Sequence, residues 1–483
     1  MTEPNQESGA ATSRKALAIN LDRTAYGAFA EIGAGQEVVR HFFKAGGASG
    51  TVAKSISAYD MRVSDAIYGH PKRYVSQERL EKMLDHEFSL LVDRLAADRG
   101  AQTRFFAFAD TVATTPHDGK GQGHSWIGMR FQDQPLAEPS EVVLHLRLWD
   151  KDAGRQQDAL GIVGVNLIHA ALNHRESVDQ FLMALVDDVG AGRVEVEFAN
   201  FRGPAFGSFD NRATALRLVR LGLTDAVLFG PEGQPQVPSE YFYKKSVLVA
   251  RGSFRPVSLV NEDMLACALR SVPQTGPDFV ALFEMCIGSD PHPESELIDR
   301  IRLVGAMQHP LLVTRHRGWY RLPAYFRMHT TGTITLVAGM NNLVDLFNPE
   351  YYTHLDGGVL EACGRLFKDG VRIMVYPMRG DQLRRLILDP VACKVCFPDS
   401  YGHVEADSVV TASDIQMLPA VAGLFQHLLN NKFLVPITGA DEKALACQPR
   451  TLAERIKNNT PGWENEVPPA VVIAIKSLKL WSN

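Results

Sequence analysis

No stretch of the 483 residues offers the roughly 20 consecutive apolar side chains that a helix needs to cross a bilayer. Neither charge is in excess. Against 50 Lys+Arg stand 55 Asp+Glu, a formal net charge of −5 that leaves no footprint for nucleic acid or an anionic membrane. Cysteine is scarce. Cys267, Cys286, Cys363, Cys393, Cys396 and Cys447 all fall in the second half, in keeping with a reducing cytoplasm and not with a disulfide framework. Cys393-Lys-Val-Cys396, with His403 seven residues on, has the spacing of a metal or redox pair. A structural zinc needs a second ligand pair, and none follows, so ordinary thiols and no metal are expected. Internal repeats are missing. The polar opening, residues 1–15, has no apolar signal core and reads as a disordered tail. What remains is globular: 45% hydrophobic and 22% charged residues exclude disorder, collagen and coiled coil, and the length suits two or three domains.

The pattern predicts two α/β domains. The first, a mixed α/β domain over 16–235, opens with a Gly-rich stretch and a helix over 76–100 that Ser76 can cap. Strands follow over 104–110, 125–131 and 141–150, helices over 161–174 and 176–189, and a strand over 194–201. Asp210 or Asn211 caps a helix over 211–224, and a strand follows over 226–230. The turn-rich stretch 231–239 marks the boundary. Beyond it the alternation is regular. Strands over 246–251, 278–285, 311–316, 333–340 and 371–377 are separated by helices over 259–271, 295–307, 320–329, 342–348 and 357–368. This predicts a Rossmann-like parallel sheet over 240–440, covered on both faces, with a C-terminal extension over 441–483. Such sheets bind ligands beyond the carboxyl ends of their strands, where strand order reverses.

The most informative stretch runs Arg251-Gly-Ser-Phe-Arg-Pro-Val-Ser-Leu-Val-Asn-Glu-Asp-Met-Leu265. It combines a strand end, a glycine turn and a helix start. Gly252 lets backbone approach a ligand with no Cβ in the way. Pro256 stiffens the turn, and free N–H groups there make an anion site. Taken alone, the same residues also suit a tight βα connection without a ligand.

The stretch resembles the first signature of the nicotinamide/nicotinate mononucleotide adenylyltransferases, of the nucleotidylyltransferase superfamily: Gly-Ser-Phe-[Asn/Asp]-Pro-x-Thr-x-x-His, here Gly252-Ser253-Phe254-Arg255-Pro256-Val257-Ser258-Leu259-Val260-Asn261. Weaker echoes follow in the family's order. Gly318-Trp319-Tyr320 looks like the Trp element that stacks on the pyridine ring. Gly339-Met340-Asn341-Asn342-Leu343, with Phe347, looks like Gly-x-Asp-x-Leu-x-x-Phe. Thr411-Ala412-Ser413-Asp414-Ile415-Gln416 stands for Ser-Ser-Thr-x-Ile-Arg, and Phe433-Leu434-Val435-Pro436 for Tyr-Leu-Val-Pro. The resemblance covers roughly 245–440. It implies that Gly252, Ser253, Phe254, Ser258, Gly339, Asn341, Ser413 and Gln416 hold ATP with Mg²⁺, and that Trp319 meets the second substrate. AMP would pass from ATP to a mononucleotide, with pyrophosphate released. The sequence departs from the family at Asn261 for His, Asn341 for Asp and Gln416 for Arg. Arg255 adds a cation inside the turn, and the expectation is that Arg255 with Asn261 does the work of the missing histidine. The alternative is a catalytically silent relative serving as nucleotide sensor or assembly scaffold. Expected partners are small-molecule nucleotides and a second copy of the chain, with neither nucleic acid nor membrane.

The first domain carries further motifs. Glu31-Ile-Gly33-Ala-Gly35 looks like the Glu-x-Gly-x-Gly loop of S-adenosylmethionine-dependent methyltransferases, with Asp60 placed for ribose hydroxyls. The preceding run 23–30 reads as a poor buried strand, and Glu37 stands where a third glycine would help, so this is a minor alternative. Gly50-Thr-Val-Ala-Lys54-Ser55 lacks the Gly directly before Lys that a P-loop needs. Asp110, His117, Asp118, His124 and His145 have no ligand spacing, and His316 and Arg317 lie at a strand end where an anion could bind.

Overall fold

Small side chains on the first strand decide how the N-terminal half packs. Strand β1 (Ala25–Ile32) carries Gly27, Ala28 and Ala30 where a buried parallel strand usually carries branched residues. A Cβ on Gly27 would lie 2.3 Å from the Phe106 ring. Phe29 meets Phe42, Phe106 and Phe108 at centroid distances of 5.1, 5.7 and 5.9 Å. Neighbouring aromatic rings thus fill the volume that β1 leaves, and the run read as a poor strand is a buried one.

The computed structural model describes residues 8–33, 35–115, 121–272, 278–288, 290–388 and 404–481. Cys393, Cys396, His403, His117 and Asp118 lie outside them. Two compact units divide the chain, 1–224 and 225–483.

In the first unit, β2 (Val52–Ile56), β3 (Arg104–Ala113), β4 (Gly123–Gln132), β5 (Pro139–Leu148) and β6 (Val194–Arg202) join β1 in the order β2-β1-β3-β4-β5-β6. β1 is parallel to β2 and β3, and the remaining pairs are antiparallel. The helices are α1 (Ser8–Leu21), α2 (Glu37–Ala45), α3 (Met61–Tyr68), α4 (Gln77–Arg99), α5 (Ala153–Asn173), α6 (Val178–Leu185) and α7 (Asn211–Arg220). Ser76 and Asp210 cap α4 and α7. Helix α1 corrects the expected tail. Thr12 is buried and its amide donates to Asp188 at 3.2 Å, Ala16 and Ile19 are buried, and Lys15 Nζ donates to Asn166 at 2.7 Å. A polar composition hid these anchors.

In the second unit, β9 (Ser246–Arg251), β10 (Phe279–Cys286), β11 (Leu311–Thr314), β12 (Ile334–Gly339), β13 (Arg372–Tyr376) and β16 (Leu434–Pro436) run parallel. The order is β16-β13-β12-β9-β10-β11, extended by antiparallel β7 (Ala226–Phe229) and β8 (Pro235–Gln236). From β9 the chain adds β10 and β11 on one side, then crosses to β12 on the other. Strand order therefore reverses between β9 and β12. β14 (Met378–Arg379) pairs with β15 (Val409–Val410). Helices α9 (Leu259–Ser271), α10 (Glu294–Ala306), α11 (Arg321–Arg327), α12 (Asn342–Phe347), α13 (Gly358–Leu366) and α14 (Gly380–Ile387) follow the short α8 (Pro238–Tyr241).

Two expected boundaries move. Residues 226–229 belong to the second sheet, because Leu228 pairs with Leu312 across antiparallel β7 and β11. The split thus precedes the turn-rich stretch 231–239. The extension over 441–483 is integral to the second unit: Leu445, Leu452, Val471 and Ile475 are buried, and the helix Pro469–Leu478 packs on α10. Among the described residues no helix is long and apolar enough to cross a membrane.

Candidate functional site

The turn after β9 is shaped by its own phenylalanine. Phe254 has φ 51° and is buried, its ring 4.9 Å from that of Phe283. The ring folds back over Gly252, where a Cβ would lie 2.6 Å from a Phe254 ring carbon. The glycine is therefore required by Phe254 packing, a different reason from the ligand approach expected of it. The Gly252 amide is already bonded to Glu284 O at 3.0 Å.

Ser258 starts α9 in a capping box. Asn261 Oδ1 accepts from Ser258 N and Ser258 Oγ, both at 3.0 Å. Asn261, at the position of the family's histidine, is thus a helix-capping residue, with only its Nδ2 hydrogens left to donate. Among the described residues, the amides of Ser253, Phe254, Arg255 and Val260 have no acceptor. All four residues line a cavity of about 640 Å³ at the carboxyl ends of β9 and β12, where strand order reverses.

Among the described residues, the cavity wall carries four arginines, Arg251, Arg255, Arg385 and Arg450, and no Asp, Glu, Lys or His. Three of these cations are opposed from behind. Arg251 Nε and Nη2 donate to Glu284 at 2.6 and 3.1 Å, and its guanidinium lies 4.8 Å from the centre of the Trp319 ring. Arg255 Nε donates to Glu296 Oε1 at 2.6 Å. The same oxygen accepts from Arg300, which is wholly buried and also pairs with Asp290 at 2.6 Å. Arg385 pairs with Asp381. Arg450 has no hydrogen-bond or ion-pair partner among the described residues.

Gly339 and Asn341 also reach the cavity. Other expected site residues do not. Trp319 is only 2% exposed, packed in the core with Arg251 across its face. Ser413 and Gln416 lie on and beyond the single turn Ala412–Asp414, where Asp414 accepts from Thr411 N and Oγ1 at 2.9 and 2.7 Å, and neither lines the cavity. His316 is buried, and burial lowers its pKa from the ordinary histidine value, which disfavours the cation an anion would need. Sequence reasoning missed Tyr376, Gln382, Arg385 and the segment Gln448–Thr451. Pro449 at the first position of a helix was a legible signal for the element, though not for its place on the cavity.

The first unit places its motif residues elsewhere. Glu31, beside Asp110 in the β1–β3 register, accepts from the Val38 and Val39 amides at 2.9 and 3.0 Å and so closes the N-terminus of α2. Asp60 caps α3 through the Arg62 and Val63 amides. Lys54 pairs with the buried Glu87. His145 contacts Glu197 at 3.0 Å and His124 at 3.4 Å, and burial pushes His124 down to about 4. Among the described residues no group of three His, Cys, Asp or Glu is placed to hold a metal ion.

Burial raises Glu31 to about 7 in spite of its two amide donors, and burial beside Glu31 raises Asp110 well above the usual carboxylate range. Folded values above unfolded ones mean that the fold keeps protons the unfolded chain has lost between about pH 4.5 and 7. The first unit is therefore expected to lose stability as pH rises through that window, by at most about 1.4 kcal/mol per pH unit for each proton. Hydrogen exchange of β1 and β3 amides, corrected for intrinsic rates, should show stronger protection at pH 5.5 than at 8. Asp110→Asn should flatten the difference, and an unchanged profile in that variant counts against the mutual effect of Glu31 and Asp110.

No protein-family model matches the chain, and no curated protein matches it significantly. Solved structures do. The competence/damage inducible protein CihA from Agrobacterium tumefaciens is 14% identical, with 35% of this chain and 98% of that one covered at a TM-score of 0.26. A competence-damaged protein (CinA) superfamily member from Klebsiella pneumoniae is 15% identical, covering 35% and 99% at 0.27. The competence or damage-inducible protein from Enterobacter asburiae is 14% identical, covering 35% and 100% at 0.26. Likeness at these TM-scores settles neither family nor activity.

Proposed function

We propose that the second unit binds a nucleotide through its polyphosphate and transfers its nucleotidyl group, as AMP from ATP to a mononucleotide with release of pyrophosphate. One observation carries the reading: Ser253, Phe254, Arg255 and Val260, whose amides have no acceptor among the described residues, line a cavity at the reversal of strand order. Transfer of this kind asks for positioning and charge stabilisation more than covalent chemistry. Amides fixed by the Phe254 fold and guanidiniums fixed by Glu284 and Glu296 supply both without reorganising. Mg²⁺ bound to the nucleotide would supply charge neutralisation at the phosphates, and among the described residues the wall holds no carboxylate for it. Arg255 and Asn261 Nδ2 are the groups proposed at the reacting phosphate. A cytoplasmic setting is proposed on the free thiols of Cys267, Cys286, Cys363 and Cys447.

A second reading, a silent nucleotide sensor, is favoured by Asn261 serving as a cap and by Ser413 and Gln416 lying off the cavity wall. Incubation with ATP, Mg²⁺ and nicotinamide or nicotinate mononucleotide, with pyrophosphate as readout, separates the two. Turnover supports the transferase. Saturable ATP binding without turnover selects the sensor, and neither result leaves a cavity without a nucleotide role. No observation favours the methyltransferase alternative, since Glu31 and Asp60 both serve as helix caps.

A further inference from the structure

Part of the cavity wall, Leu445, Cys447 and Gln448–Thr451, is built by residues beyond the resemblance, and hydrogen bonds hold it in place. Gln382 Nε2 on α14 donates to Leu445 O and Cys447 O at 2.8 and 3.1 Å. Asp263 Oδ2 on α9 accepts from Tyr376 OH and from the Asp441 amide at 2.6 and 2.9 Å, fixing where the C-terminal segment starts. The Gln448 amide donates to Glu466 Oε2 at 2.8 Å, and Arg455 pairs with the same carboxylate. The helix Pro449–Lys457 is thereby locked with its first turn, Pro449, Arg450 and Thr451, on the wall. Meanwhile Ser413 and Gln416, which the resemblance would put on phosphate, are off it.

Charge points the same way. Arg251, Arg255 and Arg385 are each ion-paired with a carboxylate, whereas Arg450 makes no ion pair among the described residues and feels only the longer-range field of Asp345. A guanidinium that makes no hydrogen bond among the described residues, in a cavity whose described wall residues include no acid, suits an extended anion that also reaches the free amides. We infer that Arg450 is a polyphosphate-binding residue, which clamps the end of the phosphate chain away from the Ser253–Arg255 turn in place of the 411–416 element. The inference rests on the nucleotide reading above and names the residue that reading lacks.

Calorimetric titration of the full chain with inorganic tripolyphosphate and with ATP tests it. Arg450→Ala is expected to weaken both ligands roughly 10- to 100-fold, the span of a charge-assisted hydrogen-bonded contact. Arg450→Lys should recover part of that loss, because a lysine keeps the charge but not the fork. Arg302→Ala, which removes a surface cation paired with Asp299, should leave both affinities unchanged. Arg450 is exposed and makes no hydrogen bond or ion pair among the described residues, so its variants should keep the wild-type melting temperature. If wild type binds both ligands and Arg450→Ala binds them equally well, the clamp is overturned while the nucleotide reading stands. Equal weakening by Arg302→Ala overturns it too, as a general charge effect. Wild type binding neither ligand overturns the nucleotide reading itself.

Discussion

Gly252→Ala is expected to lose at least tenfold in tripolyphosphate affinity and about 1–3 kcal/mol in the stability of the second unit. The cause is local. An added Cβ would sit 2.6 Å from the ring of Phe254, and that ring cannot swing away because it is buried against Phe283. Relief must come from the backbone between Gly252 and Arg255, which carries three of the four free amides. Binding and folding should therefore fail together. Trimming the ring should separate the causes. In a Phe254→Leu background, the further change Gly252→Ala should cost under about 0.5 kcal/mol, a coupling that a double-mutant cycle reads directly. Additive losses in urea unfolding would mean that Gly252 is needed for something other than the ring.

Glu284→Ala should cost the second unit more, about 3–5 kcal/mol, because it strands a charge. Glu284 is wholly buried on β10. Its carboxylate accepts from Arg251 on β9 at 2.6 and 3.1 Å and from Thr314 Oγ1 on β11 at 2.6 Å, so it joins the carboxyl ends of three adjacent strands. Without it the Arg251 guanidinium, which also donates to His316 O at 2.7 Å, stays in place with only the more distant Asp345 as counter-charge. Replacing both partners by apolar residues of similar size, Arg251→Met with Glu284→Leu, should restore most of the loss. A loss under about 1 kcal/mol for Glu284→Ala in denaturant unfolding would mean that water reaches the pair.

How much of this was legible in the sequence depended on whether a residue's partner was near in the chain. The alternation of branched strands and helices after residue 240 and the Ser76 cap are local patterns, and the structure has them. The Gly-Ser-Phe-Arg-Pro turn was located correctly, yet the reason for its glycine needed Phe254 to be seen folding back. Partners distant in sequence left no such trace. Strand β1 was misjudged because the Phe106 ring that compensates Gly27 sits on another strand. Helix α1 was missed because its anchor is Asp188. Trp319 was expected to meet a substrate, and the sequence could not tell that Arg251 already covers its face. The part of the wall that carries Arg450 was invisible for the same reason, since its segment is held by contacts of Asp441, Leu445 and Gln448 to Asp263, Gln382 and Glu466.

A crystal structure of the chain soaked with ATP tests the central claim most directly. The triphosphate should lie along the Ser253, Phe254, Arg255 and Val260 amides, with Arg450 closing on its far end. A triphosphate seated elsewhere, or those amides bare at saturating ATP, would contradict it.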